Sequence, residues 1–394
     1  MSEVETKPQP PVKPSILPII LLTISSFIGG AGFGIYAPLI PLHALELGAP
    51  PAIATATVMA LPSILAVIVL LPASIYADKS GRRKELLIVA LALATICNLL
   101  LGFARGWVEL AIYRTISGLV FAFLSLYMAI GVLIAPPEKR GTVLAVLAGS
   151  GMLGMGVSQL FAGSLYSILG GYQPIYLLAA GLSLISLLLL LPVEAPPVKL
   201  PAMSLTDAGK VLRTRGVYWV AVSLFIYLCG WNLMYPSLSI ILTEIYEAPV
   251  WIASIAFAVA SIMLGAGTYI WGPVIDKIGG RKSLISAILA SAIFTFVMIP
   301  TLGFMWAFII LFWIVTVFGV VGAPGSTYVA TKSVKQEYAS IATAVQFVFL
   351  SLASVIGGFA AGALLASLGL SYTLLIAAVI ELVGGIMMFG VPEV

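Results

Sequence analysis

Twelve apolar runs fill most of this chain, at about 16–41, 52–77, 85–104, 107–135, 141–168, 172–192, 217–243, 250–275, 283–301, 304–331, 339–367 and 371–391. Each reaches about 20 residues or more, the length at which an α-helix crosses the hydrocarbon core of a bilayer. A water-soluble fold is excluded. Only 9% of the residues are charged and 61% are hydrophobic, against about 25% charged in a soluble domain. Lipid offers no partner to a backbone N–H or C=O, so each run is predicted to be helical. The glycines fit this reading, because small residues let membrane helices approach closely. Gly149, Gly151, Gly154, Gly156 and Gly163 crowd the fifth run, and Gly357, Gly358 and Gly362 the eleventh. Residues 1–15 are polar and proline-rich, and the first run is too long for a signal-peptide core, so no cleavable signal is expected. Cys97 and Cys229 fall inside apolar runs and read as small core residues, not as a disulfide. His43 is the only histidine, and no Cys/His spacing suggests a metal site.

The basic residues set the expected orientation. With the N-terminus inside, 17 of the 19 lysines and arginines fall in the tail or in inner connections. Arg105 lies outside, and Arg114 lies within a span. Both termini are therefore expected to be cytoplasmic, with Glu46, Glu109, Glu244 and Glu247 on the outer face. The longest inner connection, 193–216, carries Pro196, Pro197 and Pro201, then mixed charge from Asp207 to Arg215. It reads as a linker with one short surface helix.

One inner turn stands out. Ser74-Ile75-Tyr76-Ala77-Asp78-Lys79-Ser80-Gly81-Arg82-Arg83-Lys84 joins the second and third runs. Gly81 permits the sharp reversal. A related turn, with Asp276, Gly279, Gly280, Arg281 and Lys282, follows 198 positions after Asp78. Glu138 and Glu337, Gly163 and Gly362, and Gly170 and Gly369 all repeat at an offset of 199. Parallel repeats related by an axis along the membrane normal mark a two-bundle secondary transporter. The expected fold is an all-α membrane protein of twelve transmembrane helices, in two six-helix bundles related by a pseudo-two-fold axis. Its divisions are a tail at 1–15, a first bundle at 16–192, the linker at 193–216 and a second bundle at 217–394.

Ala77-Asp78-Lys79-Ser80-Gly81-Arg82-Arg83-Lys84 resembles the loop between spans two and three of the major facilitator superfamily, Gly-x-Leu-Ala-Asp-Arg-x-Gly-Arg-Arg/Lys. Ser74 and Tyr76 replace its opening Gly and its Leu. The resemblance extends over the chain after residue 15 through span count, repeat and orientation. It implies an inner latch in which Asp78 meets the N-terminus of the eleventh span, where the helix dipole is positive. Arg82 or Arg83 would pair with Glu138. Asp78, Gly81, Arg82, Arg83 and Glu138, with Asp276, Gly279 and Arg281, are the expected inner gate.

Two further stretches carry resemblances, the first to the twelve-span drug:proton antiporters of that superfamily and the second to its proton-coupled members. Gly34-Ile35-Tyr36-Ala37-Pro38-Leu39-Ile40-Pro41 is similar to the antiporters' Gly…Pro-x-x-Pro ending of span one. Arg114-Thr115-Ile116-Ser117-Gly118 is similar to the Arg-x-x-x-Gly that proton-coupled members place beside the cavity. A charge at that depth must face protein or water, and Ser117, Gly118, Phe121 and Ser125 share its helix face. The fifth span departs from the exporters. Gln159-Leu160-Phe161-Ala162-Gly163-Ser164 stands where they carry Gly-Pro-x-x-Gly-Gly, and the proline is missing.

The resemblance places the cavity among spans one, four, seven and ten. The polar and aromatic side chains within spans are Tyr36, Arg114, Tyr127, Gln159, Trp231, Asn232, Tyr235 and Gln346, the candidate cavity set. Few charges and several rings suit amphipathic or weakly cationic molecules. Glu381 is the only carboxylate near the middle of a span, about 13 Å from either end at the helical rise. An ionised carboxylate there is costly unless paired or hydrated, so a protonated form is expected for much of the cycle. Two roles stay open: carrying the coupling proton, as Arg114 would assist, or a structural hydrogen bond. The chain is therefore expected to be a secondary transporter in the plasma membrane, working by alternating access and exporting small amphipathic compounds with protons. A carrier for a neutral metabolite, such as a sugar or organic solute, is the alternative, and a non-transporting sensor a further one. Its partners would be a small-molecule substrate, the bilayer and protons. No enzyme activity, cofactor, metal or nucleic acid is expected, and the protein would be a monomer.

Overall fold

A computed structural model describes residues 16–123, 125–136, 140–195, 205–335 and 338–393. Among them there are helices and turns and no strand. Eleven helical stretches are long and apolar enough to cross a membrane. The longest holds two spans, because the helix Ala339–Met387 is interrupted at Gly369 (φ 77°, ψ 175°). That backbone conformation is open to glycine and lets the chain reverse there. The twelve spans are those of the sequence.

The first span is Leu17–Gly34, prolonged by Ile40–Glu46, and the second is Pro51–Ala56 with Ala60–Ser80. The third is Arg83–Gly102, the fourth runs from Trp107 to Ile134 with a turn at Ser117, the fifth is Arg140–Leu169 and the sixth Tyr172–Leu190. After a short helix, Leu205–Leu212, the seventh span begins at Arg215 and passes through a 3-10 turn at Tyr235–Ser237 and a π turn at Ile241–Ile245. The eighth, ninth and tenth are Val250–Ile278, Gly280–Met298 and Met305–Lys332, the last interrupted after Gly319.

Two helix pairs join the bundles: the fifth packs along the eighth, and the second along the eleventh. These pairs exchange under the pseudo-two-fold. The repeated glycines explain the closeness. A Cβ on Gly163 would lie 2.5 Å from Trp251 Cα, and one on Gly362 would collide with the carbonyl of Pro51.

The buried apolar core joins the two bundles on one side. Away from the basic turns, one continuous core takes Ile35, Leu39 and Ile40 from the first bundle with Leu238, Ile241 and Ala253 from the second. Toward the basic turns the core splits, into one cluster belonging to the first bundle and another belonging to the second. Hydrogen bonds reinforce the joined side. Ser239 donates to Pro38 O (2.5 Å), Thr55 Oγ1 donates to Gly358 O (2.8 Å), and Gly362 N donates to Thr55 Oγ1 (3.0 Å).

The repeated basic turns are built differently. In the first, Asp78 pairs with Arg83 of its own loop at 2.6 Å, and Lys84 donates to Leu191 O at the end of the sixth span. In the second, Arg281 has the same spacing from Asp276 yet turns away from it. It pairs with Glu393 (3.1 Å) and donates to Phe389 O at the end of the twelfth span, while Asp276 is exposed. The backbone supplies the reason. Gly81 is left-handed (φ 71°, ψ 1°) and folds the loop back on Asp78, whereas Gly279 (φ 86°, ψ 152°) extends it. The two turns thus pair differently, and Asp78 in this conformation pairs with Arg83. Glu138 lies outside the described residues.

Candidate functional site

The second span breaks at Thr57–Met59, between Ala56 and Ala60. One cause is covalent. In an unbroken helix Val58 O would accept the N–H of the residue at position 62, but Pro62 has none. Arg114 fills the gap. Its Nη2 donates to Val58 O (2.8 Å) and its Nε to Thr57 O (2.6 Å). Its Nη1 reaches Ser117 Oγ (2.8 Å) and Tyr36 Oη (3.3 Å). The rings of Phe33, Tyr36 and Phe121 surround the guanidinium at 5.1, 5.6 and 5.7 Å. Arg114 is 1% exposed, so it is a buried cation held by carbonyls, hydroxyls and aromatic faces. Tyr36 packs on Tyr176, whose hydroxyl meets His43 Nδ1 at 3.1 Å.

The second bundle repeats the device with other chemistry. Trp313 follows Arg114 by 199 positions, and Ala256 follows Thr57 by the same offset. Trp313 Nε1 donates to Ala256 O at 3.0 Å. An indole N–H thus replaces the guanidinium where the eighth span continues unbroken. Sequence reasoning passed over Trp313, although the repeat offset points to it.

Where the fifth and eighth spans meet, several buried polar atoms lack a partner. Gln159 is wholly buried, and neither its Nε2 nor its Oε1 completes a hydrogen bond. The same holds for Ser254 Oγ and Ser261 Oγ of the eighth span, and for Trp231 Nε1 and Asn232 Oδ1 of the seventh. Ser261 and Gln159 both lie within hydrogen-bonding reach of the Tyr235 hydroxyl, at a geometry short of a well-formed bond. Trp231 and Tyr235 stack at 4.6 Å with an interplanar angle of 18°, and Phe257 meets Tyr235 edge-on at 5.1 Å. The repeat shows what is special here. Thr55 and Gly358, bonded across the second and eleventh spans, correspond at 199 positions to Ser254 and Gln159. One joint is satisfied. Its counterpart carries an amide and a hydroxyl that do not bond one another.

Of the sequence-derived set, the structure brings Gln159, Trp231 and Tyr235 together and Tyr36 with Arg114 in another cluster, while Asn232 faces Gly357 of the eleventh span. Tyr127 lies elsewhere, bonded to Ser25 (3.0 Å) and Ser186 (3.2 Å) in the core of the first bundle. Gln346 sits toward the basic side and reaches Val217 O at 3.4 Å. A groove of about 330 Å³ opens on that side between the first, fifth and eighth spans, lined by Thr23, Phe27, Ser150 and Tyr269 among others.

A family model described as Major Facilitator Superfamily matches residues 22–243 and again 220–394. The chain belongs to the Major Facilitator Superfamily. It is a multi-pass membrane transporter. The multidrug resistance protein MdtG of Escherichia fergusonii is 24% identical over 296 residues, covering 73% of this chain and 72% of that protein. Among solved structures, the nucleoside transporter NupG (D323A mutant) superposes with a TM-score of 0.78 at 14% identity, over 94% of this chain and 98% of its own. A bacterial homologue of the human lysosomal transporter Spinster, inward-facing and unoccupied, gives 0.72 at 14% identity, over 94% and 95%.

In an alternating-access cycle the joined side would open. Thr55 makes two of the hydrogen bonds that hold it. Thr55→Val removes both, while Gly358 O and the Gly362 N–H keep the i to i+4 bond of their own helix. At about 1 kcal/mol, the loss shifts the equilibrium by about fivefold toward opening. Spin labels at the exposed positions 46 and 247 will report it: a longer-distance population grows in the variant. An unchanged distance distribution would rule Thr55 out as a closure residue.

Proposed function

We propose that the chain is an alternating-access carrier of the plasma membrane that exports small, uncharged, amphipathic compounds. The observation that carries this is the polar cluster of Gln159, Ser254, Ser261 and Trp231, without well-formed hydrogen bonds, around the stacked rings of Trp231 and Tyr235. A buried polar group without a partner costs about 1–3 kcal/mol. A solute that bonds to several of them recovers that cost on binding. An amide and hydroxyls recognise an uncharged hydrogen-bonding group, and the rings recognise an apolar or aromatic body. Arg114 is poorly suited to hold an anion, since four of its five N–H donors already have protein partners.

The basic side is the cytoplasmic one in this reading, so the joined side faces out and the conformation is the one in which an exporter loads. Similarity to a multidrug resistance protein over most of the chain supports export. The test is a thermal-shift screen of the purified full chain, followed by proteoliposome exchange of labelled hits. One panel holds uncharged aromatic amides and alcohols, chloramphenicol among them, and another holds permanent cations such as tetraphenylphosphonium. Stabilisation and exchange are expected with the uncharged panel. A response confined to the cations overturns the reading, and one confined to added sugars reassigns the carrier to neutral metabolites.

A further inference from the structure

Glu381 of the twelfth span is fully buried between the seventh and ninth spans. Its Oε2 accepts hydrogen bonds from Ser291 Oγ (3.0 Å) and Thr295 Oγ1 (3.1 Å) of the ninth span. Its Oε1 has no partner. The Tyr227 hydroxyl of the seventh span stands 3.3 Å from Ser291 Oγ. Because Ser291 donates to the carboxylate, Tyr227 is the donor to Ser291. The chain of polar groups does not end there. A Cβ on Gly319 would lie 3.0 Å from Tyr227 Oη and 3.4 Å from the unpaired Trp231 Nε1. Tyr227 and Trp231 thus border one spot, and Trp231 belongs to the candidate substrate cluster.

A purely structural role for Glu381 has a counterexample inside the same chain. Ser183 precedes Glu381 by 198 positions, and Asn98 precedes Thr295 by 197. Asn98 Nδ2 donates to Ser183 Oγ at 3.0 Å and ties the third span to the sixth. The first bundle makes this tie with neutral groups alone. The second makes it with an ionisable one, which the tie itself does not require. The only titratable side chain facing Glu381 from the spans packed against it is Tyr227; no lysine, arginine, histidine or second carboxylate among the described residues does so.

We propose that Glu381 is the group that takes up and releases the proton driving transport, and that Tyr227 and Ser291 connect it to the substrate cluster. The idea rests on the transport reading above. In the uptake step a hydronium at Trp231 gives a proton to Tyr227 Oη. Tyr227 passes its own proton to Ser291 Oγ, and Ser291 passes its own to Glu381 Oε2. A water molecule is left behind, both hydroxyls end neutral, and one O–H bond has formed on the carboxylate. Release on the other side runs the same transfers in reverse.

Two variants test this. Glu381→Gln keeps the shape and removes the titration. The pair Thr295→Asn with Glu381→Ser installs the neutral tie of the first bundle. In proteoliposomes, exchange of labelled chloramphenicol is expected to persist in both, while accumulation driven by a pH gradient falls on the order of tenfold. Accumulation at the wild-type level in either variant overturns the proposal. A measurement without substrate separates it from the transport reading. Infrared difference spectra of the wild-type protein should contain a protonated-carboxyl band that appears and disappears between about pH 5 and 9 and is missing in Glu381→Gln. A band that never titrates in that range overturns the proton role, whatever is transported. A titrating band with no exchange of any panel member would fault the substrate reading alone.

Discussion

Gln159→Leu will raise the thermal stability of the empty protein and abolish most of its response to substrate. The two effects have opposite signs because they have one cause. In the empty protein the Gln159 amide is buried, with the Tyr235 hydroxyl within reach and no well-formed bond. Leucine is close in size and has nothing to satisfy, so the variant gains about 1 kcal/mol or more of the penalty that glutamine carries. When substrate arrives, the relation reverses. The polar group that met the amide now faces a methyl group and stays unpaired, a loss of about 1–3 kcal/mol, or about 5- to 150-fold in affinity. Denaturation curves with and without a hit from the uncharged panel measure both effects together. A residue that merely packs the fifth span against the eighth would give a different pattern, a change in the empty protein and an unaltered response to ligand. Gln159→Glu adds a check on substrate charge. It places a carboxylate in the uncharged cluster and should shift selection toward cations.

The twelve spans, their division into repeats and the basic turns were legible because they rest on long-range hydropathy and charge, which survive any detail of packing. Even the break between the eleventh and twelfth spans was readable, since Gly369 follows Gly170 at the repeat offset. The contents of the site were harder to read. A membrane helix is apolar all round, so no polar stripe announces which face meets the partner bundle. Polarity therefore singled out Tyr127 and Gln346 alongside Gln159, yet only Gln159 stands at the joint. The roles of the two aspartates were hidden for a different reason. Asp78 and Asp276 have the same spacing to an arginine, and a difference in ψ at one glycine decides that only the first pair forms. The asymmetry between the joints was present in the sequence all along. Thr55 with Gly358, set against Ser254 with Gln159, can be written down at a 199-residue offset. It acquires meaning only once the hydrogen bonds show that one pair is satisfied.

Arg114 offers the other large effect, and an unusual ranking. Arg114→Lys should destabilise the protein more than Arg114→Met. Methionine removes the donors that serve Thr57 O and Val58 O, leaving two buried carbonyls at about 1–3 kcal/mol each. It also removes the charge, and with it the cost of keeping a cation away from water. Lysine keeps that charge. Its compact ammonium cannot reproduce the planar fork that reaches two successive carbonyls, Ser117 and Tyr36 at once. A buried charge with fewer hydrogen bonds is the worst of the three states, so the expected order of stability is arginine, methionine, lysine. Unfolding in mild detergent measures it, and a lysine variant as stable as the wild type would mean that only the charge matters. Pro62 supplies the second half of the test. The carbonyl of Val58 needs Arg114 because Pro62 has no N–H to offer. Pro62→Ala provides one, so in the Arg114→Met background it should recover about 1 kcal/mol, while in the wild type it should recover little. If the two substitutions simply add, the broken turn at Thr57–Met59 is held by something other than the arginine, and the match between guanidinium and freed carbonyl is incidental.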